Sequence, residues 1–66
     1  MKIILNGNEA FLDENLSVNA LIANLELDPK IVAIEKNREI VPASEYQDSV
    51  ICEGDKIEIV QFVGGG

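Results

Sequence analysis

The feature that most restricts the fold is an Asn-Gly pair close to the start of the chain. Asn6-Gly7 follows a short segment rich in isoleucine and leucine, residues 2–6. Asn-Gly is the strongest local signal for a two-residue hairpin loop, because both residues tolerate positive φ. A second strand at about residues 9–13 is expected to pair back antiparallel with the first. The chain is therefore predicted to begin with a β-hairpin.

A single amphipathic helix is predicted after this hairpin. Ser17 is a suitable N-cap, because its hydroxyl can accept a hydrogen bond from a free N–H of the first turn. Leu16 and Leu21 occupy the two positions of a hydrophobic staple around that cap. Asp28-Pro29 terminates the helix, which should end near Leu25. The apolar residues recur at helical spacing and form one face: Val18, Leu21, Ile22 and Leu25.

The second half of the chain is predicted to contain short strands separated by turns. Pro42 ends one strand or places it at an edge. Gly54 is free to take positive φ in the turn before the last strand. The predicted elements are a strand at 31–35, a polar turn at 36–38, a short strand at 39–41, one helical turn at 43–46, a short pairing at 50–51, a turn at 52–55 and a final strand at 56–63.

These elements combine into one α+β fold. A lone helix must lay its apolar stripe on one face of a sheet. The final strand is expected to lie beside the first and parallel to it, through a right-handed connection. The predicted architecture is a β-grasp, or ubiquitin-like, fold in which a small mixed sheet packs on one main helix. Residues 1–63 form this domain, and residues 64–66 form a flexible C-terminal glycine tail.

Size and charge exclude several functions. The chain has 66 residues, enough for one domain, and twelve acidic against five basic residues give a formal net charge of −7. This balance argues against nucleic acids and anionic membranes as partners. It serves solubility or steers the chain toward a basic partner. No apolar run approaches the ~20 residues of a membrane span, and no signal peptide is evident, so the protein is expected in the cytoplasm.

The inventory of reactive side chains argues against an enzyme. The chain has one cysteine and no histidine, so it lacks the residues for a Ser-His-Asp or Cys-His triad and for a cysteine-ligated metal centre. Neither a cofactor nor a metal is expected to bind. Cys52 lies beside Ile51 and before a turn, so it is predicted to be a small semi-buried hydrophobe. No cationic residue adjoins it in the sequence to make it a reactive thiol. Tyr46 is expected to serve packing.

The C-terminus offers a different kind of chemistry. Gly64, Gly65 and Gly66 directly follow the last predicted strand. Glycine has no Cβ, so such a tail offers a narrow backbone and a terminal carboxylate that can be threaded into the active site of another protein. Three extended residues reach roughly 10 Å at about 3.3–3.6 Å each. Termini also carry glycines without any function, so the tail alone is a weak signal.

The last strand predicts where a partner would dock. Its residues alternate between two faces, so Ile57 and Ile59 are expected in the core. Val60 and Phe62 then lie on the other face, next to the tail. They either form an apolar docking patch for a partner or cap the sheet by packing on the loop after Pro42.

Together, these residues resemble one family, the ubiquitin-like sulfur carriers, and within it the carriers of thiamin biosynthesis of the ThiS type. The resemblance covers the whole chain: Asn6-Gly7 near the start, the apolar run at 31–35, Ile40-Val41-Pro42, Gly54-Asp55 before the last strand, and the ending at 59–66. The ending is the most specific part. The third glycine, Gly64, departs from the general motif, which needs only Gly65-Gly66.

The resemblance implies a role as a protein cosubstrate. An adenylating enzyme of the ThiF type, related to ubiquitin-activating enzymes, would use ATP and Mg²⁺ to join AMP to the Gly66 carboxylate. A persulfide from a cysteine desulfurase or another donor would then convert Gly66 into a thiocarboxylate. Thiazole synthase of the ThiG type would take that sulfur. Alternatives are a carrier for molybdopterin or another acceptor, a ubiquitin-like protein modifier, and an interaction module with an inert tail.

Overall fold

The structure is a computed structural model, and it describes residues 1–14 and 16–62. Val63 and the glycine tail, Gly64 to Gly66, lie outside the described residues. The predicted domain boundary and the predicted flexibility of the tail therefore stay predictions. The described elements are β1 Lys2–Leu5, β2 Asn8–Phe11, α1 Val18–Asn24, a 3-10 turn Pro29–Ile31, β3 Val32–Lys36, β4 Glu39–Val41, a 3-10 turn Ala43–Glu45 and β5 Lys56–Gln61.

The five strands form one mixed sheet in the order β2-β1-β5-β3-β4. The first and last strands of the chain lie side by side and parallel, with Leu5 opposite Ile57. All other neighbouring strands are antiparallel. This is the predicted β-grasp order, with α1 packed on one face of the sheet through the shared core. That face is called the inner face below, and the opposite one the outer face.

The predicted N-terminal hairpin is confirmed, with a small shift of its second strand. Asn6 and Gly7 both have positive φ, 49° and 84°, as a two-residue loop between right-twisted strands requires. The second strand begins directly after this loop, at Asn8, and not at residue 9. The hydrogen bond from the Leu12 N–H to the Met1 carbonyl, 2.8 Å, closes the paired stretch, so residue 13 is not part of the strand.

The helix begins and ends where the sequence predicted. The Ser17 hydroxyl accepts a hydrogen bond from the Ala20 N–H at 3.0 Å, which confirms the N-cap. Val18, Leu21 and Ile22 are buried, whereas Leu25 lies at the C-cap and is exposed. Ser17 also bridges Val50 in the short pairing expected at residues 50–51.

The strand β3 starts one residue later than predicted. Ile31 belongs to a 3-10 turn, because the Asp28 side chain accepts a hydrogen bond from the Lys30 N–H at 2.9 Å and Pro29 fixes φ at the first position of that turn. The strand therefore runs from Val32 to Lys36. Its antiparallel partner β5 is described to Gln61, and the Phe62 N–H continues the pairing by donating to the Ile31 carbonyl at 2.7 Å.

The hydrophobic core lies between α1 and the inner face of the sheet. Its members come from every part of the described chain: Ile3, Val18, Leu21, Ile22, Val32, Ile34, Val41, Tyr46, Ile51 and Ile57. Tyr46 is buried as predicted, and its hydroxyl donates to the Val32 carbonyl at 3.4 Å. A small domain of this kind depends strongly on each such side chain, because its total buried surface is limited.

Ile57→Ala is expected to lower the free energy of unfolding by about 2–5 kcal/mol. Ile57 is fully buried, at 0% exposure, in the central strand of the sheet. The matched control is Ile40→Ala, because Ile40 is 67% exposed and its loss leaves no internal cavity. Urea denaturation followed by circular dichroism measures both; equal losses in the two variants would contradict the described core.

Candidate functional site

The final strand separates a buried face from an exposed face, as its alternation predicted. Ile57 is buried, and Ile59 is half-buried against the core. Val60 and Phe62 are both 57% exposed on the outer face. At this exposure, more than half of the surface of each residue remains accessible. The two residues therefore stay available to a partner, immediately before the glycine tail.

Neighbours on the adjacent strand extend this exposed surface. Ala33 lies directly opposite Val60 in the sheet, and Ile31 lies opposite Phe62 through their backbone hydrogen bond. Ile31 is itself exposed, and Ala33 is half-buried. These four residues, Ile31, Ala33, Val60 and Phe62, are called the apolar patch below. A continuous apolar surface at the base of a tail is typical of a protein docking site.

An acidic pair borders the apolar patch. Glu35 and Glu58 lie directly opposite each other on β3 and β5, and the exposed Ile40 lies on the other side of Glu35. Like charges facing each other across two strands are unfavourable. Within the described part of the chain, the single ion pair joins Lys2 to Glu9 at 3.3 Å, and it does not involve this border. A partner that presents a cation here would relieve the repulsion.

The acidic pair also lines a groove on the outer face. Its volume is about 330 Å³, and Arg38 and Lys56 line it together with Glu35 and Glu58. The groove therefore presents both signs of charge at the end of the sheet that lies away from the tail. The groove is partly open to solvent, so side chains of a partner protein can enter it.

Asparagine side chains hold the start and the middle of β5. The Asn6 side-chain oxygen accepts a hydrogen bond from the Ile59 N–H at 2.8 Å. The Asn37 side-chain oxygen accepts a hydrogen bond from the Lys56 N–H at 3.0 Å, and the backbone N–H of Asn37 donates to the Lys56 carbonyl at 2.8 Å. Asn37 and Arg38 both have positive φ, 54° and 70°. The part of β5 that precedes Val60 and Phe62 is thus held on both sides, which favours a preorganised docking surface.

The structure corrects the prediction for Cys52. Cys52 is exposed, not semi-buried. It begins the turn before β5, where its N–H donates to an Asp55 carboxylate oxygen at 2.8 Å and its carbonyl accepts from the Asp55 N–H at 3.0 Å. These two bonds hold the backbone in a tight surface turn, so the thiol lies outside the core.

Other kinds of site are not found in residues 1–14 and 16–62. No group of three acidic or cysteine side chains is arranged to hold a metal ion there. No helix in this part of the chain has the length and hydrophobicity to cross a membrane. The predicted tail residues Gly64, Gly65 and Gly66 lie outside this range, and Phe62 is the last residue before them whose position is described.

The chain matches the ThiS family model over residues 3–66. It is 40% identical to "Sulfur carrier protein ThiS" of Bacillus subtilis over 63 residues, which cover 94% of this chain and 96% of that protein. It is 46% identical over its full length to a protein called "Thiazole synthase" in Paramagnetospirillum magneticum, of which it spans 20%. The chain thus corresponds to about a fifth of that longer relative.

A solved structure shows the same architecture. The crystal structure of the thiamine biosynthesis protein ThiS from Geobacter metallireducens superposes with a TM-score of 0.86 at 29% identity, and the match covers 100% of both chains. The matching family model, the full-length relative and this structural likeness agree. The chain therefore belongs to the ThiS family, the small β-grasp sulfur carriers of thiamin biosynthesis.

Proposed function

We propose that this chain carries sulfur as a thiocarboxylate on Gly66 and donates it for formation of the thiazole ring of thiamin. The observation that carries the proposal is the apolar patch, because two of its residues, Val60 and Phe62, precede Val63 and the three glycines in the sequence and are exposed. Membership of the ThiS family supports the same function. Membership of this family also favours thiazole formation over molybdopterin synthesis as the use of the sulfur.

The chemistry proceeds on the terminal carboxylate. A carboxylate oxygen of Gly66 attacks the α-phosphorus of ATP and releases pyrophosphate, which leaves an acyl adenylate. The terminal sulfur of a persulfide attacks the carbonyl carbon, and AMP leaves. A thiol then cleaves the acyl disulfide and leaves the thiocarboxylate. The protein contributes a glycine without a Cβ beside the reacting carbon, so the tail fits a narrow active-site channel.

The proposed partners follow from this sequence of steps. An adenylating enzyme of the ThiF type supplies ATP and Mg²⁺, and a cysteine desulfurase or another persulfide donor supplies sulfur. Thiazole synthase accepts the sulfur. A relative called "Thiazole synthase" that contains a sequence like this whole chain supports the last partner. We expect the protein to meet these partners in the cytoplasm.

Docking would use the apolar patch and its acidic border. Val60 and Phe62 supply apolar contact beside the tail, and Glu35 and Glu58 select a partner that presents a basic side chain next to an apolar surface. The tail loses conformational freedom when it enters an active site. Contacts on the folded surface compensate for this cost, and they also bring the carboxylate within reach of the enzyme's active site.

Intact mass spectrometry tests the proposed function. After incubation with ATP, Mg²⁺, the adenylating enzyme, a persulfide donor and a thiol, the chain is expected to gain about 16 Da as sulfur replaces oxygen. Oxidation of Met1 or the exposed Cys52 adds one oxygen and nearly the same mass. The experiment therefore uses Cys52→Ser and locates the gain by fragmentation. A gain confined to Gly66 supports the proposal, and an unchanged Gly66 rejects it.

A further inference from the structure

Within residues 1–14 and 16–62, one side of β5 lacks a neighbouring strand at its C-terminal end. The Phe62 N–H donates to the Ile31 carbonyl at 2.7 Å, and the Asn37 N–H donates to the Lys56 carbonyl at 2.8 Å. In an antiparallel pair, hydrogen-bonded and non-hydrogen-bonded residues alternate. The backbone groups of residues 56, 58, 60 and 62 therefore face β3. Those of residues 57, 59 and 61 face the other side of the strand.

The strand β1 occupies only the first part of that other side. It pairs Leu5 with Ile57, and the Asn6 N–H donates to the Ile57 carbonyl at 2.9 Å. The Asn6 side-chain oxygen then accepts a hydrogen bond from the Ile59 N–H, and after Gly7 the chain continues into β2. Within residues 1–14 and 16–62, the Ile59 carbonyl and the N–H and carbonyl of Gln61 have no hydrogen-bond partner. These three groups are called the open edge below.

The open edge differs from the two outer edges of the sheet. Proteins protect exposed strand edges with charged residues, prolines or a covering segment. β2 carries Glu9, and β4 carries Glu39 and ends at Pro42. Residues 59–62, Ile-Val-Gln-Phe, contain neither a charge nor a proline. Among the described strands, the segment at residues 59–62 is thus the one whose open edge has no such protection.

We propose that thiazole synthase adds an extended segment of its own chain to the open edge of β5. This inference rests on the proposed function. Addition of a strand supplies main-chain hydrogen bonds to the Ile59 carbonyl and to both backbone groups of Gln61. The added segment continues the sheet where β1 ends and lies beside the apolar patch. Thiazole synthase is the chosen partner because a relative of that name contains a sequence like this whole chain.

The position of the open edge explains what the added strand does. Gln61 precedes Gly66 by five residues, which span roughly 17 Å when extended. A segment that pairs with Gln61 fixes the direction in which the tail leaves the domain. It therefore sets the point that the thiocarboxylate can reach in the acceptor's active site. A docking patch alone would leave the first residues of the tail free to rotate.

Gln61→Pro is the variant that separates the open edge from the rest of the strand. Proline has no N–H, and the nitrogen of residue 61 faces the open edge, so the hydrogen bonds to β3 are preserved. Gln61→Ala is the matched control, because it removes the side chain and keeps the N–H. A synthetic chain with an ester in place of the residue-61 amide keeps the Gln61 side chain, removes the donor at residue 61 and weakens the Val60 carbonyl as an acceptor toward β3. Its free energy of unfolding is measured beside its affinity, and it decides the question should Gln61→Pro not fold.

Isothermal titration calorimetry with thiazole synthase measures the effect on chains charged as thiocarboxylates. Gln61→Pro is expected to bind roughly tenfold more weakly than Gln61→Ala, and the ester chain several-fold more weakly than wild type. In wild type, hydrogen exchange of the Gln61 amide should slow when the synthase is added. Equal affinities of the Pro, Ala and ester chains, with unchanged exchange at Gln61, would overturn the proposal.

The outcomes also separate this inference from the proposed function. In one outcome, the wild-type chain forms the thiocarboxylate and delivers sulfur while Gln61→Pro binds as well as Gln61→Ala. That result rejects only the strand addition. A wild-type chain that never gains sulfur on Gly66 removes the proposed function, and the strand addition is rejected with it.

Discussion

A chain that lacks Gly65 and Gly66 is expected to lose adenylation completely while its melting temperature stays unchanged. Truncation places the new carboxylate two residues, about 7 Å, short of its former reach. Misplacement of a reacting group by about 1 Å already costs on the order of 100-fold in rate, so no activity should remain. Among the described residues, every buried core residue lies at or before Ile57, and the two deleted glycines have no side chain, so the packing of this core should not change.

The control for this truncation keeps the tail and removes only its charge. A full-length synthetic chain that ends in a carboxamide should bind the adenylating enzyme yet form no adenylate. Pyrophosphate release measures adenylation, and thermal denaturation followed by circular dichroism measures stability. Adenylation of the truncated chain would show that the reactive group lies elsewhere in the molecule, and the function proposed for Gly66 would fail.

The parts of the fold that local signals specify were predicted correctly. Asn6-Gly7 predicted the first hairpin because only a few residues tolerate two consecutive positive φ values. Ser17 predicted the start of α1 because the capping interaction involves residues three positions apart. The exposure of Val60 and Phe62 followed from the two-residue period of a strand. Each of these inferences needs only one segment of the chain.

The parts that the sequence did not predict depend on contacts between distant segments. The start of β3 shifted because Asp28 caps a 3-10 turn that takes in Ile31. Membership of Ile31 and Ala33 in the apolar patch depends on the register between β3 and β5. The exposure of Cys52 depends on its two hydrogen bonds to Asp55. Alternation on a correctly placed β3 would have indicated Ala33, but the register itself is not encoded locally.

Phe62→Ala is expected to weaken binding to the adenylating enzyme by roughly 30-fold, which corresponds to a loss of about 2 kcal/mol. Phe62 is the large aromatic residue of the apolar patch, and aromatic anchors carry much of the binding energy of protein interfaces. At 57% exposure, its truncation should change the free energy of unfolding by less than ~1 kcal/mol. Isothermal titration calorimetry gives the affinity, and urea denaturation gives the stability.

Phe11→Ala is the matched control for this experiment. Phe11 is also aromatic, exposed at 78%, and on the outer face, because it lies opposite the exposed Lys2. It belongs to the edge strand β2, away from the apolar patch, so its loss should leave the affinity unchanged. Equal losses of affinity in both variants would indicate nonspecific hydrophobic binding to the outer face. A loss of affinity for Phe62→Ala that parallels its loss of stability would instead make Phe62 a structural residue and reject its role in docking.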